Sequence, residues 1–269
     1  MVSEIKDFQK CEYDILKETD RVCKKHDIKY FLGQGSLLGA AKYGGFIPWD
    51  DDIDLLIPYD QLDKLMKVFP LEAADNLLLT NYKVERYFPL AWSKIRDKNT
   101  LSRPVRYKDI PINWGVCIDL FPIYPVSNNS FIRETERILY KIANKIMQAE
   151  FTKYEENHNL LVRILERVPI FIRHMYLKTV NALLSKHKDT SQYVLMPCKG
   201  VKIVRRELIF GSEQFLKFED GVYPVPARYD EYLRLNYGDY MAPLPQGEQR
   251  GHDLKMGEIE WKFDLNTHN

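Results

Sequence analysis

Four aspartates fall within five residues in the run Asp50-Asp51-Asp52-Ile53-Asp54, which passes directly into the apolar stretch Leu55-Leu56-Ile57. Like charges at that density repel, and any that lose their water need a cation or hydrogen-bond donors. From Ile53 onward the run reads as a strand. Side chains alternate faces along a strand, so Asp52 and Asp54 project the same way, with Cα atoms roughly 7 Å apart. Two carboxylates on one face can clasp Mg²⁺, which takes oxygen ligands and is commonly completed by water and substrate phosphates. Asp50 and Asp51 read as a loop before the strand, because the preceding Pro48-Trp49 marks a turn. A solvated acidic loop or a calcium-binding turn is the alternative, although the EF-hand spacing of Gly and Glu is absent.

Upstream lies Gly33-Gln34-Gly35-Ser36, after a short apolar segment over Ile28 to Leu32. Gly35 lets the backbone turn tightly, and Ser36 is placed to cap a helix beginning at Leu37-Leu38. Phosphate oxygens bind well at such a position, where free N–H groups and the positive end of the helix dipole face the anion. Many helices begin with Gly-Ser and bind nothing. Joined to Asp-x-Asp on the next strand, the pair points to a phosphorylated substrate handled through a divalent metal.

The 269 residues suffice for one large domain or two modest ones at about 100 to 200 residues each. Lys and Arg number 39 against 38 Asp and Glu, a net charge of +1, which argues against nucleic acid as a general partner. Cys11, Cys23, Cys117 and Cys198 show neither zinc-ligand nor disulfide-scaffold spacing. The first residues lack the apolar core of a signal peptide, and no stretch approaches the roughly 20 apolar residues of a membrane span. These features lead to the expectation of a cytoplasmic protein, soluble or peripheral on the inner face of the cell membrane.

Apolar residues at helical spacing (Ile5, Phe8, Cys11, Ile15, Leu16, Val22, Cys23) predict an amphipathic helix over 3–26. Strands near 28–33, 52–57, 77–82, 89–96 and 114–121 alternate with helices near 36–43 and 59–69. The expected fold class is therefore α/β (α+β), a mixed sheet flanked by helices. The stretch from Pro122 to Ser130 is rich in breakers and reads as a boundary. Three regions are expected: a catalytic core over 1–125, a helical insert over 126–190 interrupted near Pro169, and a small C-terminal α/β part over 191–269 that completes the substrate site. Segment 151–207 carries 11 Lys and Arg against 5 Asp and Glu, with Arg163, Arg167 and Arg173 interleaved among Leu160, Leu161, Ile164, Leu165, Val168, Phe171 and Ile172. That pattern suits either a core helix with a basic outer face or an interfacial helix resting on anionic lipid.

With these motifs in place, the chain resembles the nucleotidyltransferase superfamily and, within it, the LicD family of phosphocholine transferases, relatives of the fukutin-type enzymes. The resemblance rests on Gly35-Ser36-Leu37-Leu38-Gly39-Ala40, on Gly45 to Asp54, on Lys94-Ile95-Arg96-Asp97-Lys98-Asn99-Thr100 and on Val116 to Pro122, with Tyr237-Gly238-Asp239-Tyr240-Met241 near the end. It implies a nucleotidyltransferase-like sheet and a third metal-site carboxylate at Asp119. Independently, an Asp among Cys117, Ile118, Leu120 and Phe121 is costly in an apolar strand unless it meets a metal or a cation, the alternative being a strand-end Asp before Pro122. The resemblance further implies two Mg²⁺ ions on Asp52, Asp54 and Asp119. CDP-choline is the implied donor, a sugar hydroxyl of a lipid-linked or surface glycan (teichoic acid or lipooligosaccharide precursor) the acceptor, and CMP the leaving group. Asp119 is the expected base.

Further substrate contacts are expected from Gly35 and Ser36 at a phosphate, and from Lys94 and Arg96, which strand alternation points the same way. Trp49 beside the Asp run would meet the quaternary ammonium, with Trp92 and Trp114 nearby. Arg250 and His252, in the polar loop Gln249-Arg250-Gly251-His252, would reach the donor phosphate or simply be solvated. His26, His158, His174, His187 and His268 read as surface residues. Two alternatives remain: a nucleotidyltransferase that places a nucleotide on a small-molecule hydroxyl, and a non-catalytic relative that binds nucleotide or membrane.

Overall fold

The structure is a computed structural model and describes residues 2–152, 164–187, 190–197, 200–243 and 259–263. In chain order its elements begin with α1 (Val2–Lys25), β1 (Phe31–Leu32), α2 (Gln34–Tyr43), β2 (Asp54–Pro58) and α3 (Tyr59–Glu72). Then come β3 (Leu77–Thr80), β4 (Ser93–Asp97), β5 (Leu101–Pro104), β6 (Cys117–Val126), α4 (Ser130–Thr152) and α5 (Ile170–Leu184). The chain continues with β7 (Tyr193–Met196), β8 (Lys202–Arg205), the single turn α6 (Arg206–Ile209), the hairpin β9 (Gln214–Phe218) and β10 (Gly221–Val225), α7 (Tyr229–Tyr237) and β11 (Ile259–Lys262).

The central sheet runs β1-β2-β6-β4-β3, parallel between β2 and β6 and antiparallel elsewhere, and β7 and β8 extend it from the far half of β6. It is the mixed α/β fold the alternation of strands and helices predicts. β2 explains the unbroken Leu55-Leu56-Ile57: all three are fully buried, and a strand covered on both faces reads as a continuous apolar run. On α1 the expected stripe is the buried one, with Phe8, Ile15, Leu16, Val22 and Cys23 inside and Lys10, Lys17 and Lys24 outside. Each fully buried Leu or Ile of this kind contributes roughly 1.5–3 kcal/mol of apolar burial. α1 lies against β4, β6 and α3, directly beneath the aspartate loop.

Three local readings change. α2 starts at Gln34 with Gly33 as its N-cap residue, so Ser36 sits inside the first turn rather than at the cap. The helix stops at Gly44, whose φ of 68° is the left-handed conformation glycine adopts without a Cβ penalty, and its N–H bonds back to the Ala40 carbonyl. Second, Pro122 and Pro125 do not end the core strand. β6 runs through both, Pro122 facing Ile57 and Pro125 facing Val194 in register, so the sheet crosses the expected boundary.

The third change concerns the helical insert. α4 and α5 pack against each other and against the far half of β6, enclosing a second core of Tyr124, Tyr140, Ala143, Met147, Leu177 and Leu184. Arg173, part of the basic row that suited either the outer face of a core helix or a lipid-facing helix, is 1 % exposed. Its guanidinium donates to Glu150 at 3.0 Å and to the carbonyls of Val168 and Glu166 at 2.8 and 3.0 Å, clamping α5 to α4. His174, read as a surface residue, is half-buried, with Nε2 at 3.1 Å from the Phe88 carbonyl. Leu160, Leu161, Arg163, His158 and His268 lie outside the described residues. No helix among the described residues is long and apolar enough to cross a membrane.

Candidate active site

The site begins at the parallel pairing of β2 with β6, where Asp54 is the register partner of Asp119. On its other side Asp119 is the register partner of Lys94 on β4. Two negative charges and one positive charge thus stand in a row across three neighbouring strands, spaced by the roughly 4.8 Å between strands. Like charges directly opposite destabilise a sheet, and an opposite charge offsets them. Lys94 Nζ lies 2.5 Å from Asp119 Oδ1, and both side chains are largely buried.

The start of β2 is fixed to the start of α2. The Asp54 N–H donates to Ser36 Oγ at 2.8 Å, and the Gly33 N–H donates to the Asp54 carbonyl at 2.9 Å. The Pro48-Trp49 turn closes as expected, the Asp50 N–H reaching the Ile47 carbonyl at 2.9 Å. From below, Gln9 Nε2 on α1 donates to the carbonyls of Asp50 at 2.8 Å and Ile47 at 3.3 Å. The loop carrying the aspartates is therefore held from both sides. Gly35 is the point of closest approach: a Cβ there would stand 2.7 Å from Asp50 Oδ2 and 3.8 Å from Asp52 Oδ1.

A cavity of roughly 920 Å³ opens over this assembly. Asp50, Asp52, Asp54 and Asp119 line its sheet side, and Trp49, Trp92, Phe121 and Tyr237 supply aromatic surface. Trp92 and Phe121 pack with their rings tilted by 37° and centroids 5.1 Å apart. Burial, then the charges of Asp52, Asp119 and Asp50, push the Asp54 carboxyl well above the usual carboxylate range, with Lys94 opposing. For Lys94, burial works against the charge, but the adjoining Asp119 outweighs it and holds the ammonium above its ordinary value. Glu12 of α1, 2 % exposed, is likewise pushed up by burial and then by Asp52, Cys117, Asp51 and Asp50.

Hard oxygen donors on one cavity wall, crowded enough to force Asp54 toward its neutral form, suit Mg²⁺. Among the described residues no three carboxylate, imidazole or thiol side chains already converge on one ligation centre, and Asp119 is paired with Lys94. Asp52, Asp54 and Asp119 are the residues that would hold the ion.

The structure brings together Gly35, Trp49, Asp52, Asp54 and Asp119 on the cavity. Ser36 and Lys94 are not among the residues lining the cavity, the first accepting from Asp54 N–H and the second paired with Asp119. Arg96 shares the face of Lys94 but is buried, donating to the Gly115 carbonyl at 3.2 Å with its guanidinium over Trp114. Trp114 packs with Tyr107 and Phe151 and is not among the residues lining the cavity. Arg250 and His252 lie outside the described residues.

Residues that sequence reasoning passed over are Gln9 and Glu12 beneath the loop, and Lys141, Asn144, Lys145 and Gln148 of α4 on the cavity wall. The first two left a signal, since both are polar positions inside the apolar stripe of α1. The α4 residues left none, because a polar row on one helix face is ordinarily its solvent side.

The mixed sheet carries register-paired aspartates on adjacent strands beside a helix amino-terminus, and the part of the chain that holds them matches a nucleotidyltransferase-domain family. Residues 27–156 match the LicD/FKTN/FKRP nucleotidyltransferase domain. The lipopolysaccharide cholinephosphotransferase LicD of Haemophilus influenzae is 27% identical over 270 aligned residues, covering 91% of this chain and 94% of that protein. The ribitol 5-phosphate transferase FKRP is 33% identical in Mus musculus and 32% in Homo sapiens over 119 residues, 43% of this chain but only 22% and 21% of those proteins. Residues 27–156 therefore carry a domain of the LicD family.

Proposed function

We propose that the protein transfers phosphocholine from CDP-choline to a sugar hydroxyl of a cell-surface glycan, releasing CMP. The observation that carries this reading is the Asp54–Asp119 register pair opening, with Asp52, into a cavity that also presents Trp49, Trp92 and Phe121. The full-length similarity to a cholinephosphotransferase supports it. The acidic wall suits a diphosphate escorted by cations, and aromatic faces suit a quaternary ammonium. Trp49 is the proposed ammonium contact.

In this reading the acceptor oxygen attacks the choline-side phosphorus, a new P–O bond forms, and the bond to the bridging oxygen breaks with its electron pair leaving on CMP. The hydroxyl proton passes to Asp119, which gives it to solvent. Asp52 and Asp54 hold the charge balance of the wall, and Gln9 fixes the loop that carries Asp52 through its hydrogen bonds to the Asp50 and Ile47 carbonyls. Two Mg²⁺ ions bound to Asp52, Asp54 and Asp119 would neutralise the diphosphate and sharpen the acceptor oxygen as a nucleophile.

The proposal places the protein in the cytoplasm, peripheral on the inner face of the membrane where lipid-linked glycans are built. Phe171, Ile172 and Met175 on α5 are exposed beside the exposed Arg167 and Lys178, a combination that fits an anionic surface. Flotation with anionic liposomes at low salt tests that part: no co-flotation removes it.

The transferase reading is tested by incubating protein, Mg²⁺ and a panel of CDP-choline, CDP-ribitol, CDP-glycerol and nucleoside triphosphates with sugar acceptors. CMP release with CDP-choline supports it. Pyrophosphate release from a triphosphate instead would make the protein a nucleotidyltransferase.

A further inference from the structure

We infer that the row Lys141, Asn144, Lys145 and Gln148 on α4 is a phosphate-binding strip, so that the helical insert is one wall of the substrate site. The inference rests on the transferase reading above. The four residues are spaced 0, 3, 4 and 7 along one helix and so share one face. All four line the cavity whose sheet side carries Asp50, Asp52, Asp54 and Asp119.

The charge balance of that cavity favours such a strip. A phosphorylated ligand entering against four aspartates meets repulsion unless cations flank it. Lys94 is committed to Asp119 and Arg96 to Gly115 and Trp114, and neither lines the cavity. The cavity's own lysines are Lys141 and Lys145. Lys145 is exposed and makes no ion pair or hydrogen bond among the described residues, and Lys141 has Glu134, two turns earlier, as an electrostatic neighbour. Asn144 and Gln148 are joined at 3.4 Å and add amide donors between the ammonium groups.

The strip is also held in place. The reverse face of α4 presents Tyr140, Ala143 and Met147 to the second core, and Tyr140 Oη donates to the Ala91 carbonyl at 3.1 Å. Near the end of α4, Glu150 accepts from the buried Arg173. Binding groups on an immobilised helix lose little freedom when a ligand arrives.

Two phosphates fit this chemistry, the diphosphate of the donor and a phosphate on the acceptor glycan. The test is calorimetric titration of the wild-type protein, the Lys141→Ala/Lys145→Ala variant and the Lys141→Arg/Lys145→Arg variant with CDP, inorganic pyrophosphate and glucose 1-phosphate. Circular dichroism and thermal melting serve as folding controls. The expected result is affinity weakened by about tenfold or more in the alanine variant and retained in the arginine variant. Loss with CDP and pyrophosphate assigns the strip to the donor; loss with glucose 1-phosphate alone assigns it to the acceptor. Affinities unchanged for all three ligands, or no binding of any of them to the wild type, would overturn the strip. Intact CDP binding without transfer from CDP-choline would instead remove the transferase reading and leave the strip standing.

Discussion

Asp54 on β2 and Asp119 on β6 are register partners across a parallel pair, so two carboxylates face one another where a sheet ordinarily places apolar or opposite charges. Lys94, paired with Asp119 from the other side, offsets one of the two charges and leaves Asp54 to be neutralised by a proton or a metal. The arrangement is costly for the free protein and suited to a cation.

Asp54→Asn is expected to cut transfer about a thousandfold or more while raising the melting temperature of EDTA-treated protein by a few degrees. The folded-state pKa of Asp54 is raised above its unfolded value, so its contribution to stability is fully present below the unfolded pKa and is lost as pH rises through the folded one. The gain from Asp54→Asn should therefore grow from pH 5 to pH 8. Thermal melts across that range check it, and a gain that shrinks with pH contradicts the assignment.

Lys94→Ala strips one partner from a largely buried pair and leaves Asp119 beside Asp54 with no cation. Destabilisation of roughly 3 kcal/mol is expected in urea unfolding. The Lys94→Ala/Asp119→Ala double variant should recover part of that loss.

Gly35→Ala introduces a methyl group 2.7 Å from Asp50 Oδ2, so the loop has to move. Overpacking of this kind costs about 1–3 kcal/mol, and displacement of the aspartates should lower transfer by more than that stability loss explains. Activity measured well below the melting temperature separates the two effects.

Arg173→Ala opens the clamp between α5 and α4 and removes the guanidinium that Glu150 accepts from, at a cost of about 3–5 kcal/mol. Arg173→Lys should rescue it poorly, because one ammonium cannot reproduce the guanidinium's three contacts. Guanidinium unfolding curves of the three proteins check this.

Burial, followed by nearby carboxylates, pushes the Cys11 and Cys23 thiols up to about 12. Both should stay unalkylated by iodoacetamide at pH 8 in the native protein and react once it is unfolded, as read by peptide mass mapping.

The catalytic wall was readable because its constraints are local. Crowded carboxylates ahead of Leu55-Leu56-Ile57 imply a strand and a cation whatever lies around them, and Asp119 stands out as a charge in an apolar strand. The register that joins Asp54 to Asp119 is a long-range fact, supplied in sequence only by family resemblance. The partners of Ser36 and Arg96 were not readable: strand alternation and helix-start chemistry say which way a residue points, not whether a neighbour has already engaged it. Pro122 and Pro125 read as breakers because proline lacks a donor, yet Pro122 falls where β6 hands over from β4 to β7 and Pro125 is accommodated within the β7 pairing. Lys141 and Lys145 were unreadable, since a helix's outer face and a cavity wall look alike until the fold decides what lies opposite.

β6 serves two neighbours in succession, β4 along Cys117–Leu120 and β7 along Tyr124–Val126, with Asp119 in the first stretch. That shared strand limits how the molecule can be cut or recombined. A fragment ending at residue 125 would shed the partner of its own last strand and leave a naked apolar edge prone to self-association. Chimeras with relatives should therefore be joined beyond β8, where the sheet has closed its ledger of partners.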